Sequence, residues 1–237
     1  MKLFPDLRAP VDEDEWMDTR PFDPDQARRA LRYLALTNRR FGGARAILRP
    51  LARWSVRWHP GEPVRLLDVG TGGADIPIAI AQWGRKHGFS LRITAVELLP
   101  SIAALAKEAA RAYPEITVLT RDLRDLPQEL TFDYVTASLF LHHVPVGLRT
   151  EALRAMDRRA RKGLVISDLR RGLLSYWAAG AAAGLWGDKI LRHDSPLAVR
   201  RSFRADELDA LARETGLTYL RARNESWFRL TLSGEKA

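Results

Sequence analysis

The sequence contains no cysteine among its 237 residues. This absence excludes disulfide bonds, zinc sites built on cysteine and catalysis by a thiolate. Lysine is also scarce, because only six of the 38 basic residues are lysines and arginine supplies most of the net charge of +9. The arginines are scattered beside acidic residues rather than gathered in one basic tail, which favours a solvated surface over a nucleic-acid footprint.

Long apolar runs are absent as well. The longest apolar stretch, residues 172–187, is shorter than the roughly 20 residues that a bilayer-spanning helix needs. The N-terminal segment has no apolar signal core and soon turns acidic, so secretion is not expected. These features predict a cytoplasmic protein without a membrane span, whose length allows one sizeable core and a small cap.

From residue 64 onward, short β-branched runs alternate with longer helical stretches. Strands separated by helices of this length pair in parallel through right-handed crossovers. The predicted fold is an α/β, doubly wound, mostly parallel seven-stranded sheet of the Rossmann-like kind, with an antiparallel C-terminal hairpin and an added helical cap. The predicted strands are residues 64–70, 91–97, 115–120, 132–139, 163–169, 217–223 and 227–232.

Two regions interrupt this alternation. Residues 1–60 contain no strand and are predicted to form an N-terminal helical cap, whose second helix is interrupted by Pro50. Residues 61–237 form the main domain, with a substrate-covering insertion at about 170–203. A helix over residues 146–162 is expected to end at Gly163.

The stretch "LLDVGTGGADIP" places several glycines where the first strand passes into a helix. Glycines let a ligand approach the main chain closely, and the helix N-terminus offers free amides. This turn is also where a doubly wound sheet binds its nucleotide. A dinucleotide fingerprint requires a third glycine where this chain has Asp75. A carboxylate there would repel a pyrophosphate but could accept hydrogen bonds from an ammonium group, so a zwitterionic cofactor is favoured.

Acidic residues also follow the next two strands. Glu97 ends the second strand, a position from which a carboxylate reaches ribose hydroxyls, and Asp122 follows the third, where it could bind an adenine amino group. Together with Asp68, they place acids at the ends of three consecutive strands. Acidic residues that were merely exposed on the surface and unrelated in function would not be expected at all three strand ends.

These ordered motifs resemble the class I S-adenosylmethionine-dependent methyltransferases, nearest to the small-molecule branch of quinone-biosynthesis and natural-product enzymes. The matching stretches are "LLDVGTGGAD", "VE" at 96–97, "RDL" at 121–123 and "FDYVTASLFLHHV". The resemblance implies S-adenosyl-L-methionine as cofactor, with Ala74 standing where many relatives have glycine. The implied cofactor-binding residues are Asp68, Gly70, Thr71, Gly72 and Gly73 for the methionine part, with Asp75, Glu97 for the ribose, Asp122 and Leu123 for the adenine, and also Leu98 and Ser138.

The sequence constrains the identity of the methyl acceptor less tightly than that of the cofactor. Without cysteine, cytosine-5 methylation through a covalent adduct is excluded, and no [DN]-P-P-[YF] stretch follows the fourth strand. The cap and insertion are rich in aromatic residues, which favours a small apolar or aromatic acceptor, although packing of cap against core is the alternative explanation. O-methylation of a phenolic or polyketide-like compound is slightly favoured. An RNA methyltransferase and an inactive cofactor-binding partner protein stay open, and so does the oligomeric state, a homodimer included. The aromatic residues are Trp16, Phe22, Tyr33, Phe41, Trp54, Trp58, Tyr176, Trp177 and Trp186.

Two neighbouring histidines, His142 and His143, follow the fourth strand. Adjacent residues at a strand end project in different directions and no partner carboxylate is identified nearby, so no metal site is predicted. By the resemblance, His142 faces the substrate as a base or hydrogen-bond partner, while His143 packs beneath the next helix. His193 in the insertion, beside Asp194, is the competing catalytic base.

Overall fold

The computed structural model describes residues 5–19, 23–59, 61–186 and 188–236. The candidate cap residue Phe22 lies outside these ranges. The helices are α1 (Trp16–Thr19), α2 (Pro24–Arg40), α3 (Gly43–Trp54), α4 (Asp75–His87), α5 (Pro100–Ala110), α6 (Arg149–Arg159), α7 (Leu173–Trp186), α8 (Lys189–Arg201) and α9 (Ala205–Thr215). The strands are β1 (Val64–Val69), β2 (Leu91–Glu97), β3 (Ile116–Thr120), β4 (Phe132–Ser138), β5 (Ala160–Leu169), β6 (Arg221–Asn224) and β7 (Arg229–Glu235).

The seven strands form one sheet in the order β3-β2-β1-β4-β5-β7-β6. The first five pair in parallel, whereas β7 runs antiparallel to both β5 and β6. The predicted α/β fold is therefore confirmed, and its C-terminal hairpin has β7 as the inner strand. The order reverses between β1 and β4, which is the position where sheets of this kind bind ligands.

Apolar side chains cover both faces of the sheet, as expected for a largely parallel sheet. One core cluster joins the strands to α6 and α9 through Leu153 and Leu208. The cluster on the other face includes Ile47 of α3, Ile80 of α4 and Ala103 of α5. Helices α3, α4 and α5 therefore form one layer, and α6 and α9 form the other.

The position of α3 differs from the expectation for a separate cap. Ile47, Leu51 and Trp54 are buried in the same core as the β1 residues. Pro50 does not interrupt the helix, which continues from Gly43 to Trp54. Burial of this apolar face offsets the hydrogen bond that proline removes. The domain boundary at residue 60 stays a prediction, but α3 itself packs as part of the main core.

The insertion at 170–203 forms two helices, α7 and α8. They meet α2 in a small apolar cluster of Ala30, Tyr33, Ala183 and Leu191. Among the described residues, no helix is both long and apolar enough to cross a membrane. The N-terminal helix α2 and the insertion thus cover the same side of the molecule together.

Gly163 lies inside strand β5, so the prediction that it ends a helix is wrong. Helix α6 stops at Arg159, and β5 begins at Ala160 because that residue already pairs with Phe132 of β4. A Cβ atom built on Gly163 would lie 2.8 Å from the carbonyl oxygen of Gly234. The glycine is needed for the close approach of β7.

Gly163→Ala should lower the free energy of unfolding by about 1–3 kcal/mol, because the added methyl group must displace backbone of β7. Urea denaturation followed by circular dichroism measures the change. The control is Gly172→Ala, whose Cβ would meet nothing within 4 Å and which should change stability by less than about 1 kcal/mol. Equal losses in the two variants would contradict the packing role of Gly163.

Candidate active site

A cavity of about 620 Å³ opens at the carboxyl ends of the central strands. The strand ends contribute Val69, Glu97, Ser138 and Leu169, and helices α2, α7 and α8 contribute Leu34, Ala182 and Leu191. This volume is typical of sites for small molecules, and most of the lining side chains are apolar. The predicted cofactor residues all line this one cavity: Asp68, Gly70, Thr71, Gly72, Gly73, Asp75, Glu97, Leu98, Asp122, Leu123 and Ser138.

The loop after β1 adopts left-handed backbone conformations, with φ of +65° at Gly70 and +53° at Gly72. A Cβ on Gly70 would also lie 2.5 Å from the ring of Phe140, so only glycine fits there. Ala74 has φ of +61° and is fully buried. A left-handed conformation costs a non-glycine residue about 1 kcal/mol, which explains why glycine would suit this position in relatives.

Glu97 connects β2 to this loop. Its carboxylate accepts hydrogen bonds from the amides of Gly72 (3.0 Å) and Leu99 (3.1 Å). Burial raises the pKa of Glu97, and the two amides partly offset that effect. The side chain is therefore fixed in orientation on the floor of the cavity.

Asp122 precedes a short turn at Leu123–Asp125 and caps it. Its carboxylate accepts a hydrogen bond from the amide of Arg124 (2.8 Å) and forms an ion pair with the same residue's guanidinium (2.7 Å). The hydrogen bond from Arg124 lowers the pKa of Asp122. The carboxylate is thus ionised and held at the cavity edge by a neighbour that the sequence reasoning did not consider.

The buried carboxylate of Asp68 and the partly buried carboxylate of Asp75 also line the cavity. Asp68 accepts a hydrogen bond from the hydroxyl of Thr136 (2.7 Å), and burial raises the pKa of Asp68 to about 7. Asp75 accepts from the side-chain amide of Asn38 (2.9 Å), and burial raises its pKa also. A cationic ligand group would favour the ionised form of both.

Arg229 at the start of β7 was missed by the sequence reasoning. Its guanidinium is buried, lines the cavity and donates to the side-chain oxygen of Asn38. Burial lowers the pKa of Arg229 to about 10. Among the described residues, its Nη1 has no hydrogen-bond partner. An arginine within the apolar run "WFRLTL" was the available signal.

The remaining predicted cofactor residues differ in exposure. Thr71 is buried and donates its amide to the carbonyl oxygen of Val96 (3.0 Å), whereas Leu98 is 61% exposed at the rim. The hydroxyl of Ser138 is buried and has no partner within the described part of the chain. The structure brings all these residues together, and their roles toward the cofactor stay predictions.

The two neighbouring histidines have the reverse of the expected exposure. His142 is almost fully buried, and its Nδ1 lies 2.6 Å from a carboxylate oxygen of Asp168 at the end of β5. The ring of His143 is about a third exposed, with its Nδ1 2.9 Å from a carboxylate oxygen of Asp18. The buried Asp168 holds His142 inward, which the sequence could not show. Both residues line the cavity.

Glu15 is a further residue that the sequence reasoning missed. It is buried, lines the cavity and has Oε1 3.7 Å from Nε2 of His142. Burial raises the pKa of Glu15. Burial alone lowers the pKa of His143, but the charges of Glu15 and Asp18 outweigh this effect and raise it to about 9. Glu15 was hidden in the acidic run "VDEDEW", which is typical of a solvated surface.

His193 does not line the cavity. Its ring stacks on Trp16 with the centroids 4.0 Å apart, and its Nδ1 lies 2.7 Å from Asp194. Asp194 also accepts the amides of Trp16 and Met17, both at 2.9 Å. The pair holds helix α1 in place, and the geometry gives no support to His193 as the base.

Four aromatic residues of the cap show both of the expected roles. Tyr33 and Phe41 line the cavity. Trp54 and Trp58 instead pack on Tyr134 in the core, with ring centroids 5.3 and 5.5 Å apart. For these two tryptophans the packing explanation is correct, so the acceptor surface is more aliphatic than the sequence suggested.

Arg201 at the end of α8 holds the histidine segment in place. Its guanidinium is buried and donates to the carbonyl oxygens of His142 and His143, both at 3.0 Å, and to that of Glu13. The N-terminal segment and the loop after β4 are therefore fixed to the same side chain. This contact determines where Glu15 lies relative to the histidines.

A family model described as a methyltransferase domain matches residues 66–163. The matched range contains the loop after β1, Glu97, Asp122 and both neighbouring histidines. No curated protein is significantly similar in sequence to the chain.

Solved structures share the fold at low sequence identity. Magnesium protoporphyrin IX methyltransferase (ChlM) from Synechocystis PCC 6803 with bound SAH has a TM-score of 0.56 and 17% identity, over 84% of this chain and 85% of that chain. The plantazolicin methyltransferase BpumL in complex with SAH has a TM-score of 0.66 and 13% identity, over 91% of each chain. PigF with SAH has a TM-score of 0.62 and 19% identity, over 95% of this chain and 63% of that chain.

The doubly wound sheet, the glycine loop after β1 and the methyltransferase-domain match define the class of protein. Residues 66–163 are a methyltransferase domain, and the sheet has the Rossmann-like methyltransferase fold, as the sequence motifs predicted. The three similar structures contain bound SAH, in keeping with the S-adenosyl-L-methionine that the sequence motifs imply.

Arg201→Lys should lower the free energy of unfolding by about 2 kcal/mol or more. The ammonium group of lysine cannot reproduce the hydrogen bonds that the planar guanidinium donates to three carbonyl oxygens. Urea denaturation measures the loss. The neighbouring Arg200→Lys is the control, since Arg200 makes a partly exposed ion pair with Glu13 worth less than about 1 kcal/mol. A tolerated Arg201→Lys would show that the segment is held by other contacts.

Proposed function

We propose that this methyltransferase methylates a small, largely apolar metabolite, with an oxygen atom of a phenolic or polyketide-like compound as the favoured acceptor. The observation that carries the proposal is the cavity, which lies between the glycine loop and the histidines and is lined by apolar side chains of α2, α7 and α8. The similar structures include methyltransferases for magnesium protoporphyrin IX and for plantazolicin. Their names are consistent with a small-molecule acceptor here.

The residues of the cavity fit S-adenosyl-L-methionine by charge. Asp68 offers a buried carboxylate for the ammonium group, and Arg229 has an unpaired Nη1 for the carboxylate. Glu97 would hold the ribose, and Asp122 with Leu123 the adenine. The unpaired hydroxyl of Ser138 is a further hydrogen-bonding group beside them. A zwitterionic ligand therefore satisfies groups of both signs.

When bound, the cofactor supplies a methyl group whose bond to sulfur breaks with its electron pair passing to sulfur, while the acceptor atom forms the new bond to carbon. The cavity walls exclude water and hold the acceptor in line, which supplies much of the rate. His142 is oriented through Nδ1 by Asp168, and its Nε2 faces Oε1 of Glu15 at 3.7 Å, so the acceptor hydroxyl would lie beside this group. The proton of that hydroxyl leaves through the group formed by Glu15, His142 and His143.

The basic composition does not require a nucleic-acid substrate. Several arginines are buried, and most of them donate to backbone carbonyl oxygens inside the protein. Part of the charge of +9 therefore serves the fold. The arginines concerned are Arg149, Arg159, Arg171, Arg201 and Arg229.

Incubation with methyl-labelled S-adenosyl-L-methionine and a panel of phenolic and polyketide-like compounds tests the proposal, with mass spectrometry to identify the labelled product. We expect a labelled small molecule and no labelled RNA. Asp122→Ala should weaken cofactor binding in calorimetry, whereas Asp125→Ala, an exposed residue of the same turn, should not. Labelled RNA, or equal effects of the two substitutions, would contradict the proposal.

Cofactor affinity should fall as the pH drops below about 7. In the ligand-free protein burial raises the pKa of Asp68 to about 7, so below that pH the carboxyl is protonated and cannot bind an ammonium group. Calorimetry between pH 5.5 and 8 should show a loss approaching about tenfold per unit. Asp68→Asn should bind weakly with a flatter pH profile.

The raised pKa of Asp68 affects the stability of the ligand-free protein in the opposite direction, because stability falls as the pH rises. The folded pKa of Asp68 lies above the value near 3.9 of an unfolded chain, so the folded state binds the proton more tightly. Its contribution to stability is present below about pH 4 and is lost as the pH rises to about 7. A pH-independent affinity for the cofactor would remove Asp68 from the binding site.

A further inference from the structure

One carboxylate and two imidazoles meet in the wall of the cavity. Glu15 comes from the N-terminal segment, and His142 and His143 follow β4. Each offers one ligand atom, and these atoms all lie within 4.8 Å of one another. The distance from Nε2 of His142 to Oε1 of Glu15 is 3.7 Å. Two ligands at about 2.0–2.2 Å from one metal ion lie about 3–4 Å apart, and the distance between His142 and Glu15 falls in this range.

Each of the two histidines has a carboxylate on its Nδ1. Asp168 lies 2.6 Å from Nδ1 of His142, and Asp18 lies 2.9 Å from Nδ1 of His143. In the described part of the chain, Nε2 of neither ring makes a hydrogen bond, although that of His142 faces Glu15 at 3.7 Å. A carboxylate on the far nitrogen is the arrangement that orients metal-binding histidines and strengthens them as ligands.

Glu15 gives an independent indication of a ligand. It is 4% exposed, and its Oε1 has no hydrogen-bond partner among the described residues. A buried carboxylate oxygen without a donor is costly. A cation between Oε1 and the two Nε2 atoms would satisfy it. The sequence predicted no metal here because adjacent residues at a strand end project in different directions and because no carboxylate could be identified nearby. In the structure both rings offer a ligand atom to the same group, and residue 15 supplies the carboxylate.

We propose that Glu15, His142 and His143 form a site for a divalent transition-metal cation of the Zn²⁺ type, with an open coordination position toward the cavity. Two imidazoles and one carboxylate suit Zn²⁺ and related ions, whereas Mg²⁺ and Ca²⁺ prefer oxygen ligands alone. The role of the ion rests on the proposed function. An acceptor oxygen in the open position would become more acidic, and a separate base at His142 would not be needed.

Calorimetric titration of Zn²⁺ into tag-free protein, freed of metal by dialysis against EDTA, tests the site without any turnover. We expect one Zn²⁺ per chain and no comparable binding of Mg²⁺. Glu15→Gln and His143→Gln should each weaken Zn²⁺ binding about tenfold or more. His87→Gln is the control, because His87 is exposed and its Nδ1 contacts only the carbonyl oxygen of Trp83 among the contacts described. Circular dichroism and urea midpoints establish that each variant is folded.

The outcomes separate this site from the proposed function. Absence of Zn²⁺ binding in a parent that binds S-adenosyl-L-methionine would overturn the metal site and leave the methyltransferase proposal standing. Zn²⁺ binding that is unchanged in folded Glu15→Gln and His143→Gln, or is lost in His87→Gln, would also overturn it. Zn²⁺ binding at this site without methylation of any small molecule would keep the site and overturn the proposed acceptor class.

Discussion

The buried guanidinium of Arg201 is the contact on which the geometry of the active site depends. The loop after β4 begins with Leu139, which has a left-handed backbone conformation (φ +55°). The loop lies beyond the end of β4 at Ser138, so strand pairing does not fix its conformation. Residues 5–15, which precede α1, contain no helix or strand either. Arg201 joins the two by donating to carbonyl oxygens of both. A buried guanidinium is costly unless its donors are paired. The carbonyl oxygens therefore stabilise Arg201, and Arg201 in turn holds the loop in place.

Other buried arginines repeat this arrangement around the same site. Arg149 donates to the carbonyl oxygens of Val144 and Arg201, and Arg171 donates to those of Leu7 and Ser202. Irregular segments thus obtain from side chains the hydrogen bonds that strands obtain from each other. Lysine would be a poor substitute, because only the planar guanidinium presents several donors in fixed directions. The scarcity of lysine in the sequence thus corresponds to a fold that uses buried arginines to bind backbone carbonyl oxygens.

The strands and the cofactor loop could be predicted because their signals are local. Alternation of apolar runs with helices gave the sheet, and the shared edge of parallel strands brought Asp68, Glu97 and Asp122 together. Glu15 could not be found in this way, because its burial depends on contacts with segments more than a hundred residues away. The burial of His142 likewise depends on Asp168 of a later strand, and the position of His143 depends on Asp18 of α1. Pro50 showed that burial of an apolar face can outweigh a local helix signal.

The inner position of β7 has a consequence for the order of assembly. This strand follows all the other described elements along the chain, yet it lies between β5 and β6 and carries Arg229 to the cavity wall. During synthesis, the parallel strands and α2 emerge first and must wait with one edge of β5 unpaired. Asp75 and Asn38 meanwhile lack their buried cation. The nascent chain therefore completes this wall of the cavity only in a late step, and the edge of β5 is open for pairing until then.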